Sequence, residues 1–312
     1  MAHTVKDRPV ASFVDAPVTT TIHGSHVSST VRDGETSCGP FTLRWTESGP
    51  TSGPVTLLLH GIYAGANGYE WRDLVPVLDG TTPGSGPALR VRVPDLLGAG
   101  LSDRPDLEYD PDIVLGAVRS LIDDAGPGVT VVASSLTGAY ATKALATGPI
   151  PDARLVLITP TGLGDAQSGR GGLVSRVAYA LGRHTPLGDA VVAALTSGPS
   201  VTWFQQHSTY ADPHSLQHDE VVETRRSGRL PNAKHLQLAF VTGRLAMPIG
   251  RDDVAATTPL VVWARGQEFV DEVDMVRWQA SGAHVVAVSS GLPQVEEPER
   301  LASILRAWTA GR

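Results

Sequence analysis

Residues 129–146 read VTVVASSLTGAYATKALA, and the fold follows from how this stretch changes character at its centre. Val129–Ala133 is an apolar, β-branched run of the kind that forms a strand buried on both faces. Leu136–Thr147 is rich in Ala and Leu and has the length of a short helix. Only Ser134 and Ser135 lie between them, so the chain must turn sharply from strand into helix with a serine at the turn.

Working outward, the same alternation recurs. Strands are expected at His26–Val31, Phe41–Glu47, Val55–His60, Leu89–Pro94, Val129–Ala133, Arg154–Thr159, Leu260–Ala264 and His284–Val288. The first two should pair antiparallel, since few residues separate them, and the later ones are apolar at consecutive positions, as strands covered on both faces should be. Helices are expected over Gly68–Leu78, Pro111–Asp123, Leu136–Thr147, Asp271–Ser281 and Glu297–Thr309. The last carries Leu301, Ile304, Leu305 and Trp308 at i, i+3, i+4, i+7. Strands alternating with helices predict an α/β fold, a mostly parallel eight-stranded sheet flanked by helices. Between Gly162 and Thr258 the alternation stops, and proline-punctuated helical segments rich in Arg and His take over. That interval is too long for a plain loop.

The chain has 312 residues, 41% of them hydrophobic, and a formal net charge of −7, which argues against nucleic acid or an anionic membrane surface as partner. Its one cysteine, Cys38, excludes an intramolecular disulfide and a cysteine-based metal cluster. MAHTVKDRPVASFVDAP has no apolar core of a secretion signal, and no stretch reaches the ~18 apolar residues of a membrane span, so a cytoplasmic location is expected. There is no Gly-x-Gly-x-x-Gly opening a helix after the first strand, no Walker loop and no metal-ligand spacing. No cofactor and no metal are expected.

Two further stretches complete the pattern. Residues 55–78, VTLLLHGIYAGANGYEWRDLVPVL, are a buried strand ending in His60-Gly61 and a loop of small residues; residues 90–105, RVRVPDLLGAGLSDRP, are a strand, a turn with two glycines, then Ser-Asp-Arg-Pro. In order and content the three stretches resemble the α/β-hydrolase family from about residue 40 to the C-terminus, in its cap-bearing branch with the Asp95–Pro105 signature. The resemblance implies the α/β-hydrolase fold with a helical cap insertion: a core of 1–165 and 251–312, whose N-terminal ~25 residues are open to reading as an extended arm, and a cap of 166–250. It places Ser135 at the nucleophile elbow, Gly-x-Ser-x-Gly in the family and Ala133-Ser134-Ser135-Leu136-Thr137 here. It assigns the backbone N–H groups of Ile62 and Leu136 to an oxyanion hole, and to His60 a bracing role.

The resemblance then fails at the proton-transfer pair. The aspartate position is Gln267, with Glu268 next to it, and the register set by Pro293, Glu296, Pro298 and Glu299 puts Gly291 where the histidine should be. Asp165, where some relatives carry a relocated acid, has no histidine to orient. Loss of the base costs ~10⁴–10⁶ in rate, so ordinary ester hydrolysis is not expected unless the cap supplies a histidine, His207 first. Candidate substrate contacts are Tyr63, Ser134, Trp203, His207, Tyr210 and Gln267. Three functions stay open: a non-hydrolytic enzyme that orients a reactive molecule for cyclisation, elimination, isomerisation or rearrangement, which is favoured; a serine hydrolase or acyltransferase with a displaced base; and a silent ligand-binding protein. The apolar content of the cap (Trp203, Phe204, Tyr210, Phe240, Leu245, Met247) suits a mid-sized hydrophobic, biosynthetic substrate. The partner expected is that small molecule, bound by a monomer or homodimer.

Overall fold

The computed structural model describes residues 31–163, 173–264 and 272–310. Eight strands form one sheet in the order β1-β2-β4-β3-β5-β6-β7-β8. They are β1 (Arg32–Cys38), β2 (Phe41–Ser48), β3 (Val55–Leu59), β4 (Arg90–Pro94), β5 (Thr130–Ser134), β6 (Arg154–Ile158), β7 (Leu260–Ala264) and β8 (His284–Val288). β1–β2 and β2–β4 are antiparallel and every other pairing is parallel.

β3 and β5, at the centre, are buried at every position. Their period-two alternation divides the side chains between two cores. Leu57, Leu59, Val131 and Ala133 enter one, with α2 (Pro111–Ala125), α3 (Leu136–Thr147), α9 (Arg251–Thr257) and α10 (Glu272–Ala280). Leu58 and Val132 enter the other, with the one-turn α1 (Val75–Leu78) and α12 (Pro298–Ala310). The stripe on α12 behaves as expected: Leu301 and Leu305 are fully buried, and Ile304 and Trp308 pack against the same core.

Three expectations need correction. The strand paired with β2 is Arg32–Cys38, while residues 26–30 of the expected His26–Val31 lie outside the described residues. β1 is a largely solvated edge, so no apolar run marks it. Its pairing depends on Gly34, where a Cβ would stand 2.2 Å from the Trp45 ring of β2. The helix expected over Gly68–Leu78 is a 3₁₀ turn, Gly68–Trp71, followed by α1. β8 is the opposite edge, with His284 exposed, rather than a strand covered on both faces.

Between β6 and β7 the chain forms α4 (Leu173–His184), α5 (Pro186–Leu195), α6 (Gly198–Phe204), α7 (His218–Gly228) and α8 (Lys234–Val241). Pro186 and Pro199 sit in first turns, where the missing N–H costs nothing, so these prolines start helices rather than break them. The two ends of the insertion meet: Leu163 bridges Ile249, and Ile249 N–H donates to Gly162 O at 3.0 Å. Gly162 has φ +100°, and a Cβ there would lie 2.8 Å from Met247 O. Among the described residues no helix is long and apolar enough to cross a membrane.

Candidate functional site

β5 hands over to α3 at Ser135, whose φ of 51° and ψ of −130° put a side-chain-bearing residue in sparsely populated backbone space. Such a conformation costs on the order of 1–3 kcal/mol and persists only where surrounding structure imposes it. Here Ser135 N–H donates to Ile158 O of β6 at 2.9 Å, and Gly138 N–H donates to Ser135 O at 3.0 Å. The two residues standing for the flanking glycines are completely buried. Ala133 pairs with Leu59 and Leu157. Thr137 makes its larger side chain useful, its hydroxyl donating to His60 O at 2.7 Å and tying the elbow helix to the end of β3. Ser134 is buried, Ser135 is half-buried, and the Ser135 hydroxyl has no hydrogen-bond partner among the described residues.

The loop after β3 forms the facing wall. His60, 1% exposed, receives the Leu96 N–H on Nε2 at 3.0 Å, so Nδ1 carries the proton and donates to Gly61 O at 2.7 Å. Both nitrogens are occupied and the ring braces two loops. Ile62 is buried and Leu136 opens α3, and neither N–H donates to a described residue. Two free N–H groups, one at a helix N-terminus, are what stabilisation of a developing oxyanion requires.

Behind that loop lies a buried polar network with no motif to announce it. Glu70, on the 3₁₀ turn, accepts from Gly61 N–H at 2.9 Å, from Gln294 Nε2 at 3.0 Å and from Tyr63 Oη at 3.4 Å. Glu220 of α7 pairs with Arg72 at 2.7 Å, accepts from Gln205 Nε2 at 3.2 Å and takes a short bond from Tyr210 Oη. Burial raises the Glu220 carboxyl above its ordinary value, against the pull of Arg72. Burial, then Glu70 and Glu220, raise the Tyr63 phenol well above its own, so Tyr63 stays a neutral donor. Asn67 and Tyr69 add ties to Glu223 and Asp219 at 2.9 and 2.6 Å. The segment that follows Ile62 is thereby fastened to α7. The only hint in sequence was a glutamate set between two aromatic residues, Tyr69 and Trp71.

On the other flank, the loop after β8 reaches the elbow's neighbour. Gly291 O accepts from the Thr159 hydroxyl at 2.9 Å, and Thr159 directly follows Ile158, the acceptor of the Ser135 N–H. Gly291, which the sequence register aligns with the family's histidine, is thereby linked through Thr159 to the end of β6. Ser290 Oγ donates to Glu296 and accepts from Leu292 N–H at 2.9 Å, while Glu297 holds the N–H groups of Ser289 and Ser290, both at 2.8 Å.

The remaining candidates separate. Tyr210 is buried, but its hydroxyl is committed to Glu220. Trp203 is 61% exposed, and His207 is exposed too, stacked on it with centroids 5.0 Å apart and Nδ1 2.7 Å from Trp203 O. The α6 end and the turn after it present both rings to solvent, which corrects the expectation that they line a pocket together with Tyr210. Gln267, Glu268 and Asp165 lie outside the described residues.

Comparison with known proteins agrees with this fold. The pattern of the alpha/beta hydrolase family matches residues 56–304. A serine hydrolase involved in carbazole degradation superposes with a TM-score of 0.69 at 16% identity, over 91% of this chain and 100% of its own. A serine hydrolase from the polyaromatic hydrocarbon-degrading bacterium Cycloclasticus zankles gives 0.68 at 18% identity, over 90% and 98%. An epoxide hydrolase gives 0.64 at 19%, over 90% and 99%. At such identities the likeness speaks for the fold alone. A 64-residue stretch, 20% of this chain, is 42% identical to the magnesium-chelatase 30 kDa subunit of Rhodobacter capsulatus, and it spans only 19% of that relative's length.

Proposed function

This chain belongs to the alpha/beta hydrolase family, and from that premise we propose that it uses the scaffold for a non-hydrolytic reaction. The substrate class is a mid-sized hydrophobic intermediate that undergoes cyclisation, elimination, isomerisation or rearrangement. The N–H groups of Ile62 and Leu136 stabilise an enolate or alkoxide as it develops, and the Ser135 hydroxyl adds a hydrogen bond. Residues 166–250 act as a cap that keeps water from the reacting atoms. Positioning of this kind contributes up to ~7–11 kcal/mol without any covalent step.

One observation carries the reading. Ser135 sits at φ 51° with its hydroxyl unengaged among the described residues, and glycine, Gly291, stands where the resemblance expects the histidine. A serine hydroxyl without an adjacent base is a poor nucleophile. The reading is tested with p-nitrophenyl acetate and butyrate. Turnover should stay within the residual ~10³–10⁴ over water that an oxyanion hole alone supports, and Ser135→Ala should change it little. Turnover near ~10 s⁻¹, the middle of the enzyme range, and abolished by Ser135→Ala would overturn the proposal.

A further inference from the structure

One cavity lies away from the elbow. It has a volume of about 410 Å³ and is lined by Glu108, Arg176, Tyr179, Ala180, Arg183, His184 and Arg244. None of these is an elbow or oxyanion-loop residue. Three arginines face one carboxylate in a protein whose overall charge is −7, so the cleft is a local reversal of sign.

Two of the arginines are held in place. Arg244 pairs with Glu108 at 2.5 Å and lies over the Tyr179 ring at 4.5 Å, and Arg183 pairs with Asp106 at 2.7 Å. The carboxylates that hold them are more than half exposed, 62% for Glu108 and 65% for Asp106, so solvent screens both pairs. Neither pair uses up its guanidinium: Arg183 Nη1 and Arg244 Nε are buried with no acceptor. Tyr179 is 2% exposed and its hydroxyl is likewise unpartnered. Arg176 has no partner among the described residues and is exposed at the rim, one turn from Tyr179 and Ala180 on α4. Buried donors without acceptors cost free energy unless something completes them. Here they cluster around one cleft, on a rigid stack, with a spare cation at its mouth.

We propose that this cleft is a binding site for a small molecule carrying an oxyanion, a carboxylate or phosphate group. Arg176 is the primary counter-charge, and Tyr179 Oη, Arg183 and Arg244 supply hydrogen bonds after a small side-chain adjustment. The volume suits a compact metabolite rather than a polymer. Because the cleft joins α4 to the segment carrying Asp106 and Glu108, occupancy also fastens the inserted helices to the sheet domain.

The test is calorimetric titration of the full chain with inorganic phosphate and, separately, citrate, at ionic strength held constant with sodium chloride. Saturable one-to-one binding of either anion is expected, weakened about tenfold or more by Arg176→Gln and by Tyr179→Phe, each of which removes one charge-assisted contact. The probe that binds tighter tells phosphate from carboxylate chemistry. Both variants alter the rim or a single hydroxyl, and thermal melts confirm that they fold. Absence of saturable binding of both anions by the wild type up to ~50 mM, or isotherms that neither variant changes, overturns the proposal.

Discussion

Where β5 passes into α3, bonds from β3 and β6 hold Ser135 at φ 51° with its hydroxyl unengaged. Where β8 passes into α11 (Pro293–Glu296), bonds from Glu296, Glu297 and Thr159 hold the loop that contains Gly291. Both loops are firmly built, yet on the proposed reading only one presents chemistry. The elbow's geometry is imposed by the sheet: register places Ser134 against Ile158, and the strained turn follows from backbone bonds that do not depend on what a distant loop contributes. On the proposed reading, the proton-transfer residues are single side chains on loops, and replacing them leaves the surrounding backbone unaffected. A family's scaffold and its reaction would then part company at one residue.

The comparison can be broken most forcefully behind the oxyanion loop. Trp71 is fully buried between Glu70 and Arg72, so Trp71→Ala should cost ~3–5 kcal/mol in chemical denaturation. A loss below ~1 kcal/mol would mean that this wall is not packed as described. Next come matched lesions in the two loops. Thr137→Val removes a buried hydroxyl and leaves His60 O unpaired, at a cost of ~1–3 kcal/mol, and should also weaken ligand binding at the elbow. Ser290→Ala removes a hydroxyl of similar worth, ~1 kcal/mol, from the β8 loop. It should leave elbow binding unchanged, and an equal effect on binding would erase the distinction drawn between the loops.

Ser135→Gly should have the opposite sign. Glycine accepts positive φ without strain, so stability should rise by ~1–2 kcal/mol, read from the urea midpoint. A destabilised glycine variant would show that the elbow stores no strain. The smallest expected effect is a pH dependence far from both loops. His235 is 3% exposed, and burial holds its imidazole below the ordinary value of 6.5, against the pull of Asp106. As pH falls below 6.5, the unfolded chain takes up this proton before the folded one does, so stability declines over that window. His235→Gln should flatten the decline, and an unchanged slope would assign the acid sensitivity to other groups.

Much of this was legible in the sequence, for identifiable reasons. β3 and β5 through β8 are mainly apolar runs bounded by turn residues, β4 alternates Arg with Val, and the structure places all six within a residue of where the pattern does. The elbow was legible because a strand abutting a helix leaves no alternative path. β1 was not, because a solvated edge strand has no hydrophobic signature and depends instead on the Gly34–Trp45 fit. Trp203 and His207 misled because aromatic residues on a helix end read the same facing inward or outward. The Glu70–Glu220 network was hidden because its halves are 150 residues apart and neither lies in a motif. Such pairs become visible only once α7 packs on the loop after β3.

The central claim is that Ser135 is displayed in nucleophile geometry without a base to activate it. Its most direct test is the rate at which a fluorophosphonate forms a covalent adduct at Ser135, followed by intact mass on the full chain. The account predicts an unmodified mass over times in which a base-activated serine reacts to completion. Rapid, stoichiometric addition that maps to Ser135 and disappears in Ser135→Ala would contradict it.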